Sequence, residues 1–318
     1  MRRVFLLSLL LAALTCLIVW CAVRLSGTAP ETPAGTDAAT IITVREGDTV
    51  RTAALSDWLV GVVAAEMPAS FEPEALRAQA VAARTYILDH ASARKAAHPD
   101  ADVCDDPACC TAWRSDEAME EAWGADAPSF RARIAAAVAD TDGEVLTYDG
   151  APIRAVFHAS SAGQTESSAA IWGAQPYLIS VSTPETEADV PNFVTVVSFT
   201  PDELRAAVSS TYPDCVFPDD PAAWLSAPEL DAAGRVASQA IGSVRLSGRE
   251  LRSLLGLRST VFESAYVDGV FRFTVTGSGH GVGMSQYGAN VMAQQGSGYA
   301  EILAHYYPGT ELCKLNGQ

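Results

Sequence analysis

Basic residues are scarce in this sequence. Its 318 residues include 21 Lys and Arg against 38 Asp and Glu, which gives a formal net charge of −17. No basic cluster offsets this excess. Binding to nucleic acid or to anionic lipid headgroups requires a surplus of positive charge on the protein surface. The composition therefore argues against both kinds of partner.

The sequence also has no internal repeat and only one long hydrophobic run. That run extends from Val4 to Val23, and its length of about 20 residues is enough for a helix to cross a bilayer. Arg2 and Arg3 precede the run and Arg24 closes it, which favours a cytoplasmic N-terminus. A cleaved signal peptide is the alternative, but the run is long for one and lacks a convincing cleavage site.

The remaining sequence predicts an extracytoplasmic domain on a tether. Ser26 to Asp37 is rich in Pro, Thr, Ala and Gly, a composition that cannot bury enough apolar area to fold alone. At 49% hydrophobic, the chain beyond it is able to form a substantial core. We therefore expect three segments: an anchor (1–24), a tether (25–40) and a folded domain (41–318).

The cysteines suggest a metal site. Two of the seven lie in the hydrophobic run, and the other five are expected to face an oxidising compartment. His98, Cys104, Cys109 and Cys110 fall within 13 residues and match the ligand types of a closed, structural zinc site. Cys215 and Cys313 would then remain for a disulfide. The alternative is a local disulfide between Cys104 and Cys109 or Cys110, with one free thiol.

Glu66 is the best candidate for a general acid. A short helix is predicted to begin near Ser56 or Asp57 and to end at Pro68. The spacing puts Glu66 on the same face as apolar residues such as Leu59. Burial would raise the pKa of this carboxyl, so that it could hold a proton near neutral pH. Alternatively, Glu66 turns to solvent or pairs with an arginine.

A second helix is predicted to start at Pro73. Its apolar face comprises Leu76, Ala80, Ala83 and Ile87, and Arg84 borders it. Arg84 either forms a surface ion pair or orients Glu66 or an acidic group of a ligand.

The second half of the sequence indicates mixed helix and strand. Four short β-branched or alternating runs predict strands at Val145 to Tyr148, Ile153 to Phe157, Val194 to Phe199 and Phe271 to Val275. Helices are predicted at Pro201 to Ser209, capped by Thr200, and at Ser247 to Leu255. Helix and strand do not alternate strictly, so the expected fold is α+β with antiparallel sheet.

A glycine-rich stretch runs from Gly277 to Asn290, with four glycines before Met284. It is not a phosphate loop because no Lys follows, and it lacks the βαβ context of a dinucleotide site. Glycines that let the backbone approach a ligand suit a polar sugar cleft, although a turn before a helix near Ser285 explains them equally well.

A second polar cluster follows the strand that ends at Phe157. It contains His158, Ser160 and Gln164, and the aromatic residues Trp172 and Tyr177 come next. Hydroxyl and amide donors beside aromatic rings suit a carbohydrate groove, but the two aromatic residues could equally belong to the core. A catalytic triad drawn from His158, Ser160 and His280 lacks a nucleophile-elbow motif.

Four blocks of sequence, in this order, resemble the stage II sporulation protein D family. They are Leu59–Pro68, Glu74–Tyr86, Trp172–Leu178 and Gly279–Gly288. The resemblance spans about residues 41–308, and an N-terminal anchor is usual in that family.

The resemblance implies a lytic transglycosylase that cuts peptidoglycan glycan strands already stripped of stem peptides, during engulfment of the forespore. Glu66 aligns with the family's catalytic glutamate. A zinc site is also implied, in which His98, Cys104 and Cys110 occupy three ligand positions and Cys109 stands in place of a histidine. The expected substrate contacts are Arg84, with the lactyl carboxylate, and His158, Ser160, Gln164, Trp172, Tyr177, His280, Ser285, Gln286 and Tyr287.

The implied partners are a sporulation cell-wall amidase and membrane scaffold proteins of the engulfment machinery. Two other functions remain open at this point. One is a noncatalytic glycan-binding scaffold that recruits the amidase, and the other is a cell-wall hydrolase that uses the metal directly.

Overall fold

The computed structural model describes residues 36–91 and 96–315, which form an α+β fold as the sequence predicts. The α-helices are α1 (Thr36–Ala39), α2 (Leu55–Glu66), α3 (Pro73–Ala91), α4 (Asp116–Trp123), α5 (Ala127–Asp140), α6 (Pro201–Thr211), α7 (Gly248–Leu255), α8 (Gln286–Gln294) and α9 (Tyr299–Tyr306). The strands are β1 (Ile41–Glu46), β2 (Thr49–Ala54), β3 (Val103–Cys104), β4 (Glu144–Tyr148), β5 (Ala151–Pro152), β6 (Phe157–His158), β7 (Val194–Phe199), β8 (Glu229–Leu230), β9 (Val236–Ile241), β10 (Val244–Ser247), β11 (Phe262–Val267), β12 (Val270–Thr276), β13 (Met284–Ser285) and β14 (Glu311–Lys314).

The predicted anchor, residues 1–24, lies outside the described residues, as does most of the predicted tether. Within the described part of the chain, no helix is both long enough and apolar enough to cross a membrane. The last residues of the predicted tether, from Thr36, belong to the fold because they form α1 and bury Asp37.

Helix α3 lies at the centre of the first core. It packs against α2, α5, α8, α9 and β4. Close approach is helped by five buried alanines along it, Ala75, Ala78, Ala80, Ala82 and Ala83. The prediction of a helix starting at Pro73 is confirmed. Helix α2 packs on α3 and α5, and it carries Glu66 as its last residue.

The sheets are small and differ in strand direction. Antiparallel pairs join β1 to β2, β4 to β14 and β12 to both β7 and β11. Two parallel pairs depart from the expected antiparallel arrangement, namely β1 with β3 and β6 with β13. Both parallel pairs bring distant segments together next to the residues singled out above, since β3 ends at Cys104 and β6 contains His158.

Capping residues explain where several helices begin. Thr200 and Ser247 each form a reciprocal capping box with the glutamate three residues later, and Ser285 accepts a hydrogen bond from the Gly288 amide at the start of α8. Helix α2 differs, because it begins at Leu55 and its N-cap, Ala54, provides no side-chain bond. The prediction of Ser56 or Asp57 as the cap is wrong.

A second hydrophobic core is formed by the segment of the chain that runs from β7 to β12. It includes Trp224, Phe271 and Phe273 together with Leu204 and Leu251 from the helices α6 and α7. The first core draws on residues before and after this segment, from Ile42 to Leu178 and from Val282 to Tyr307. The segment with the second core is therefore inserted into the first.

Arg84 is not available to a substrate. Its side chain is 0% exposed, and its guanidinium pairs with Asp37, with Nη2 lying 2.6 Å from the carboxylate. The backbone carbonyls of Val138 and Glu144 accept further hydrogen bonds from it. Asp37 belongs to a segment predicted to be a tether, so the sequence offered no reason to expect this partner. The prediction of a lactyl-binding Arg84 is corrected to a structural role.

Cys215 and Cys313, the two cysteines that remained for a disulfide, are both free thiols in the structure. Cys215 packs at the second core and contacts the carbonyl of Ile241. Cys313 lies on β14 opposite Val145, in the sheet of the first core. The two cysteines therefore belong to different cores.

Removal of one partner of the buried ion pair should destabilise the protein strongly. Arg84→Ala leaves the Asp37 carboxylate buried without its counter-charge, for which we expect a loss of about 3–5 kcal/mol in the free energy of unfolding. Chemical denaturation of both proteins measures the difference. Arg131→Ala is the control, because Arg131 pairs with Asp116 at the surface and its loss should cost below about 1 kcal/mol. Equal effects of the two substitutions would contradict a structural role for the buried pair.

Candidate active site and adjoining metal cluster

Glu66 lies at the C-terminal end of α2, where the helix ends before Pro68. The apolar face predicted from the sequence is buried, since Leu59, Val62 and Val63 are all fully inaccessible. Their burial fixes the rotation of the helix about its axis. Glu66 itself is half-buried at the edge of the core.

Two hydrogen bonds hold the Glu66 carboxylate. The backbone amide of Ala112 donates to Oε1 at 3.1 Å, and Nε2 of Gln286 donates to Oε2 at 3.1 Å. Burial raises the pKa of Glu66 above its usual value, while the two donors act in the opposite direction. Burial is the largest of these effects. The carboxyl therefore retains its proton to a higher pH than an exposed glutamate does.

The carboxyl faces a pocket of about 160 Å³. The pocket is lined by side chains of differing chemistry: Glu66, Tyr86, Pro107, Cys110, Thr111, Val156, Phe157 and His280. Glu66 contributes the only carboxylate among these lining residues. The pocket thus presents one acid, next to aromatic and hydroxyl groups.

His280 lines this pocket, and its ring contacts that of Trp172. Their rings are 5.0 Å apart in an edge-on arrangement, and Trp172 is 46% exposed. Burial, with a contribution from the positive charge of Arg252, lowers the pKa of His280 to about 4. The imidazole is therefore neutral near neutral pH. Trp172 offers an exposed aromatic face, which suits stacking on a sugar ring.

The predicted metal ligands form a cluster. One ligand atom from each of His98, Cys104, Cys109 and Cys110 lies within 4.8 Å of the others. Nε2 of His98 is 3.2 Å from Sγ of Cys110. Its other ring nitrogen, Nδ1, lies 3.0 Å from the carbonyl oxygen of Ala101. A hydrogen bond of this kind orients a ligating imidazole and fixes which nitrogen faces the ion.

This cluster could hold a metal ion. In the protein alone, burial raises the pKa of the Cys104 thiol to about 12, so a dry site of three sulfurs is poorly suited to negative charge unless a cation offsets it. Three sulfurs and one imidazole are the donor set of a closed tetrahedral site. The residues present therefore fit a metal.

The cluster is connected to the pocket through one short segment. Cys110 and Thr111 line the pocket, and the next residue, Ala112, donates its amide to Glu66. The loop is also fixed at Cys104, which pairs with Arg45 of β1. The cluster therefore ends only two residues before a donor to the carboxylate.

The glycines of the 277–283 stretch approach other parts of the protein rather than an open cleft. A Cβ atom on Gly283 would lie 2.0 Å from the carbonyl oxygen of Val156, and one on Gly279 would lie 2.7 Å from Cβ of His158. Both glycines have positive φ angles, of 73° and 110°. These close approaches hold the stretch against β6. Along the chain, His280 precedes β13 and Gln286 follows it.

Several predicted contact residues are buried away from the pocket. His158 is enclosed, with Nε2 2.6 Å from the Ser161 hydroxyl, so burial lowers its pKa. Ser160 is also buried. Neither lines the pocket that contains Glu66. The interaction of His158 with Ser161 is internal to the fold, and the triad of His158, Ser160 and His280 does not form.

Four other residues that were predicted to contact the substrate interact with the rest of the protein instead. Tyr177 is 8% exposed and belongs to the first core, where its hydroxyl accepts a hydrogen bond from the Arg154 amide. Ser285 is fully buried, caps α8 and donates to Glu185. Tyr287 packs edge-on against Phe71. Gln164 donates to the Ala232 carbonyl at 3.4 Å. Of the predicted polar contacts, only Gln286 and His280 therefore lie beside Glu66.

Sequence reasoning missed three groups at the pocket. They are Tyr86, Thr111 and the backbone amide of Ala112. Tyr86 ends one of the four family-like blocks, and Thr111 directly follows the cysteine pair, so proximity in sequence was an available signal for both. A backbone amide leaves no signal in residue type, and only the structure could locate it.

Comparisons with known proteins point to one family. A family model described as "Stage II sporulation protein" matches residues 45–148. The chain is 38% identical over 264 residues to Stage II sporulation protein D of Bacillus amyloliquefaciens, covering 82% of this chain and 75% of the relative. The corresponding protein of Bacillus subtilis (strain 168) is 37% identical with the same coverage. An "Amidase enhancer" of Bacillus subtilis (strain 168) is 30% identical over 315 residues, covering 80% of this chain and 40% of that protein.

The raised pKa of Glu66 should make stability depend on pH in a defined direction. From the pKa of an exposed glutamate, about 4.3, up to the raised pKa of Glu66, the folded protein holds a proton that the unfolded chain has released, so raising the pH weakens folding. Glu66→Gln removes this titration. Its stability relative to the unmodified protein should therefore increase as the pH rises through this range.

Chemical denaturation at several pH values measures this difference. Glu66→Gln also loses one hydrogen bond, which lowers the free energy of unfolding by the same amount at every pH. The informative quantity is therefore how the difference in free energy between the two proteins changes with pH. Glu121→Gln, at an exposed position, is the control and should show no such trend. A difference that stays constant with pH, or that falls as the pH rises, would contradict a raised pKa of Glu66 in the folded protein.

Proposed function

Because this chain belongs to the stage II sporulation protein D family, we propose that it is a membrane-anchored lytic transglycosylase of peptidoglycan. It cuts the bond between N-acetylmuramic acid and N-acetylglucosamine in glycan strands and leaves 1,6-anhydro ends. The observation that carries this proposal is a single desolvated carboxyl, Glu66, in a pocket whose lining residue His280 contacts an exposed tryptophan.

One carboxyl suffices for both steps of this reaction. The protonated Glu66 donates its proton to the glycosidic oxygen as the bond to the muramic acid C1 breaks. The resulting carboxylate then takes the proton of the C6 hydroxyl of the same sugar, whose oxygen bonds to C1 and closes the anhydro ring. Charge and protons balance, and Glu66 ends protonated as it began.

The surroundings of Glu66 suit such a cycle. Burial stabilises the acid form that begins the reaction, whereas the amide of Ala112 and the side chain of Gln286 stabilise the carboxylate formed halfway. Hydrolysis by the usual glycosidase mechanisms needs a second carboxyl about 5–9.5 Å from the first. Glu66 is the only carboxylate among the residues that line the pocket, which supports the mechanism with one acid.

Zinc is the metal best suited to the cluster of His98, Cys104, Cys109 and Cys110, because thiolates with an imidazole favour it. With four protein ligands, the ion would cross-link the loop and would have no open position for water or substrate. Its role is therefore structural. The loop in turn keeps the amide of Ala112 against Glu66.

The N-terminal hydrophobic run supports attachment to the membrane, with the catalytic part outside the cell membrane. In this setting the protein would act with a sporulation cell-wall amidase and with membrane scaffold proteins of the engulfment machinery. The amidase would remove stem peptides first, and the transglycosylase would cut the stripped strands.

A noncatalytic glycan-binding scaffold is the alternative function. It is favoured by one observation, the similarity to a protein named an amidase enhancer, since an enhancer need not cut the strand itself. A scaffold would keep the pocket and tolerate the loss of the acid. The two functions therefore differ in the consequence of replacing Glu66.

The acid can be tested through the products. Purified glycan strands without stem peptides should yield 1,6-anhydro ends with the unmodified protein, detected by mass spectrometry. Glu66→Gln keeps the size of the side chain but cannot donate a proton, so the rate should fall by about 10²- to 10⁴-fold. Glu263→Gln, at an exposed position on β11, should retain full activity. Anhydro ends formed at an undiminished rate by Glu66→Gln would refute the catalytic role and favour the scaffold.

Metal analysis can test the cluster separately. The purified protein should contain one zinc ion per chain, and Cys104→Ser should lose it and melt at a lower temperature. Cys215→Ser is the matched control, because Cys215 is a thiol in the other core, and it should keep the metal. If a chelator instead abolished activity without changing the melting temperature, the metal would act in the chemistry and a structural role would be excluded.

A further inference from the structure

Helix α7 carries two arginines, Arg249 and Arg252, which are three residues apart and so lie on the same side of the helix. At the first of these, Nη1 of Arg249 donates to the carbonyl oxygen of Ile171 at 3.0 Å. Ile171 directly precedes Trp172, the exposed aromatic residue beside His280. The start of α7 is thus attached next to Trp172.

The end of α7 is attached next to His280. The loop that follows the helix presents the carbonyl oxygen of Arg258, which accepts a hydrogen bond of 2.9 Å from the amide of Gly279. Gly279 directly precedes His280, which lines the pocket with Glu66. Arg252 lies between the two attachment points. Its charge is close enough to be the largest influence, after burial, on His280.

Arg252 has no counter-charge among the described residues. Its Nε is buried without a hydrogen-bond partner, and no carboxylate of the described chain lies within 4 Å of its guanidinium. By contrast, Arg235 in the same part of the fold faces Glu166 at 3.7 Å. A partly buried cation without an anion is unfavourable, and it is unexpected in a protein with a net charge of −17.

We propose that Arg252, with Arg249 beside it, binds a carboxylate of the glycan strand at the His280 side of the Glu66 pocket. This inference depends on the proposed function for the identity of the strand. The carboxylate is that of the lactyl group on N-acetylmuramic acid, which is free only when no stem peptide is attached. Arg252 thereby takes the role that the sequence had suggested for Arg84, whose guanidinium is already occupied by Asp37.

The chemistry of the two groups explains how such a site would discriminate. A guanidinium donates two parallel hydrogen bonds to a carboxylate. When a stem peptide is attached, the lactyl carboxyl is an amide, which has no charge and only one oxygen to accept. Strands without peptide should therefore bind more tightly. Arg252 acts as a positioning residue that sets the sugar ring against the proton donor.

Binding measurements separate this role from catalysis. Two oligosaccharides of alternating N-acetylglucosamine and N-acetylmuramic acid would be titrated by calorimetry, one with free lactyl carboxylates and one with these groups converted to methylamides. The protein is the full chain with Glu66→Gln, which prevents turnover. We expect this protein to bind the carboxylate form at least about 10-fold more tightly than the amide form.

Adding Arg252→Gln to the Glu66→Gln protein should remove its preference for the carboxylate form. Binding of the carboxylate form should weaken by about 10-fold or more, and binding of the amide form should stay the same. Arg252→Met, which keeps the apolar stem of the side chain, should behave in the same way and guards against a local packing effect of glutamine. Arg272→Gln, at an exposed position on β12, is the control and should keep the preference.

Two outcomes would overturn the inference: no preference in the parent protein, or equal weakening of both oligosaccharides by Arg252→Gln and Arg252→Met. A failure of the proposed function is a different result. In that case the preference would depend on Arg252 as expected, while the unmodified protein would produce no anhydro ends. Anhydro ends together with an unchanged preference in the Arg252 variants would refute the inference alone.

Discussion

The Glu66 carboxyl and its two hydrogen-bond donors are the interaction on which the site depends. A carboxyl at the end of an apolar helix face would be held only loosely by the helix itself. The amide of Ala112 and the side chain of Gln286 fix each oxygen separately. These donors come from different parts of the fold, one after the Cys and His cluster and one at the start of α8. The position of the Glu66 carboxyl therefore depends on both of these parts of the fold.

Each donor is positioned by strand pairing and packing in its own part of the fold. The loop of Ala112 is anchored by the parallel pairing of β3 with β1 and by the cluster that includes Cys110. Gln286 follows β13, which pairs with β6 because the nearby glycines permit very close backbone approach. The last family-like block thus helps to hold one side chain in place, and two of the glycines that suggest a ligand cleft, Gly279 and Gly283, are required by packing.

The features that were predicted correctly from the sequence are those determined by residues close together in the chain. The cap at Thr200 and the apolar face of α2 follow from neighbouring residues, and both are present in the structure. The His98 and cysteine cluster was also predictable, since its members lie within one short segment. Arg84 was misassigned because its partner, Asp37, lies 47 residues earlier in a segment of loop-like composition. The pairing of Cys215 with Cys313 rested on counting alone, which does not reveal that the two thiols belong to separate cores.

The hydrogen bond between Gln286 and Glu66 joins residues 220 positions apart, and the entire second core lies in the intervening chain. Until the chain from residue 279 onward joins the fold, one oxygen of the acid lacks its donor and the His280 wall of the pocket does not exist. The carboxyl therefore acquires both of its donors only when the segment after the second core has packed onto the first core.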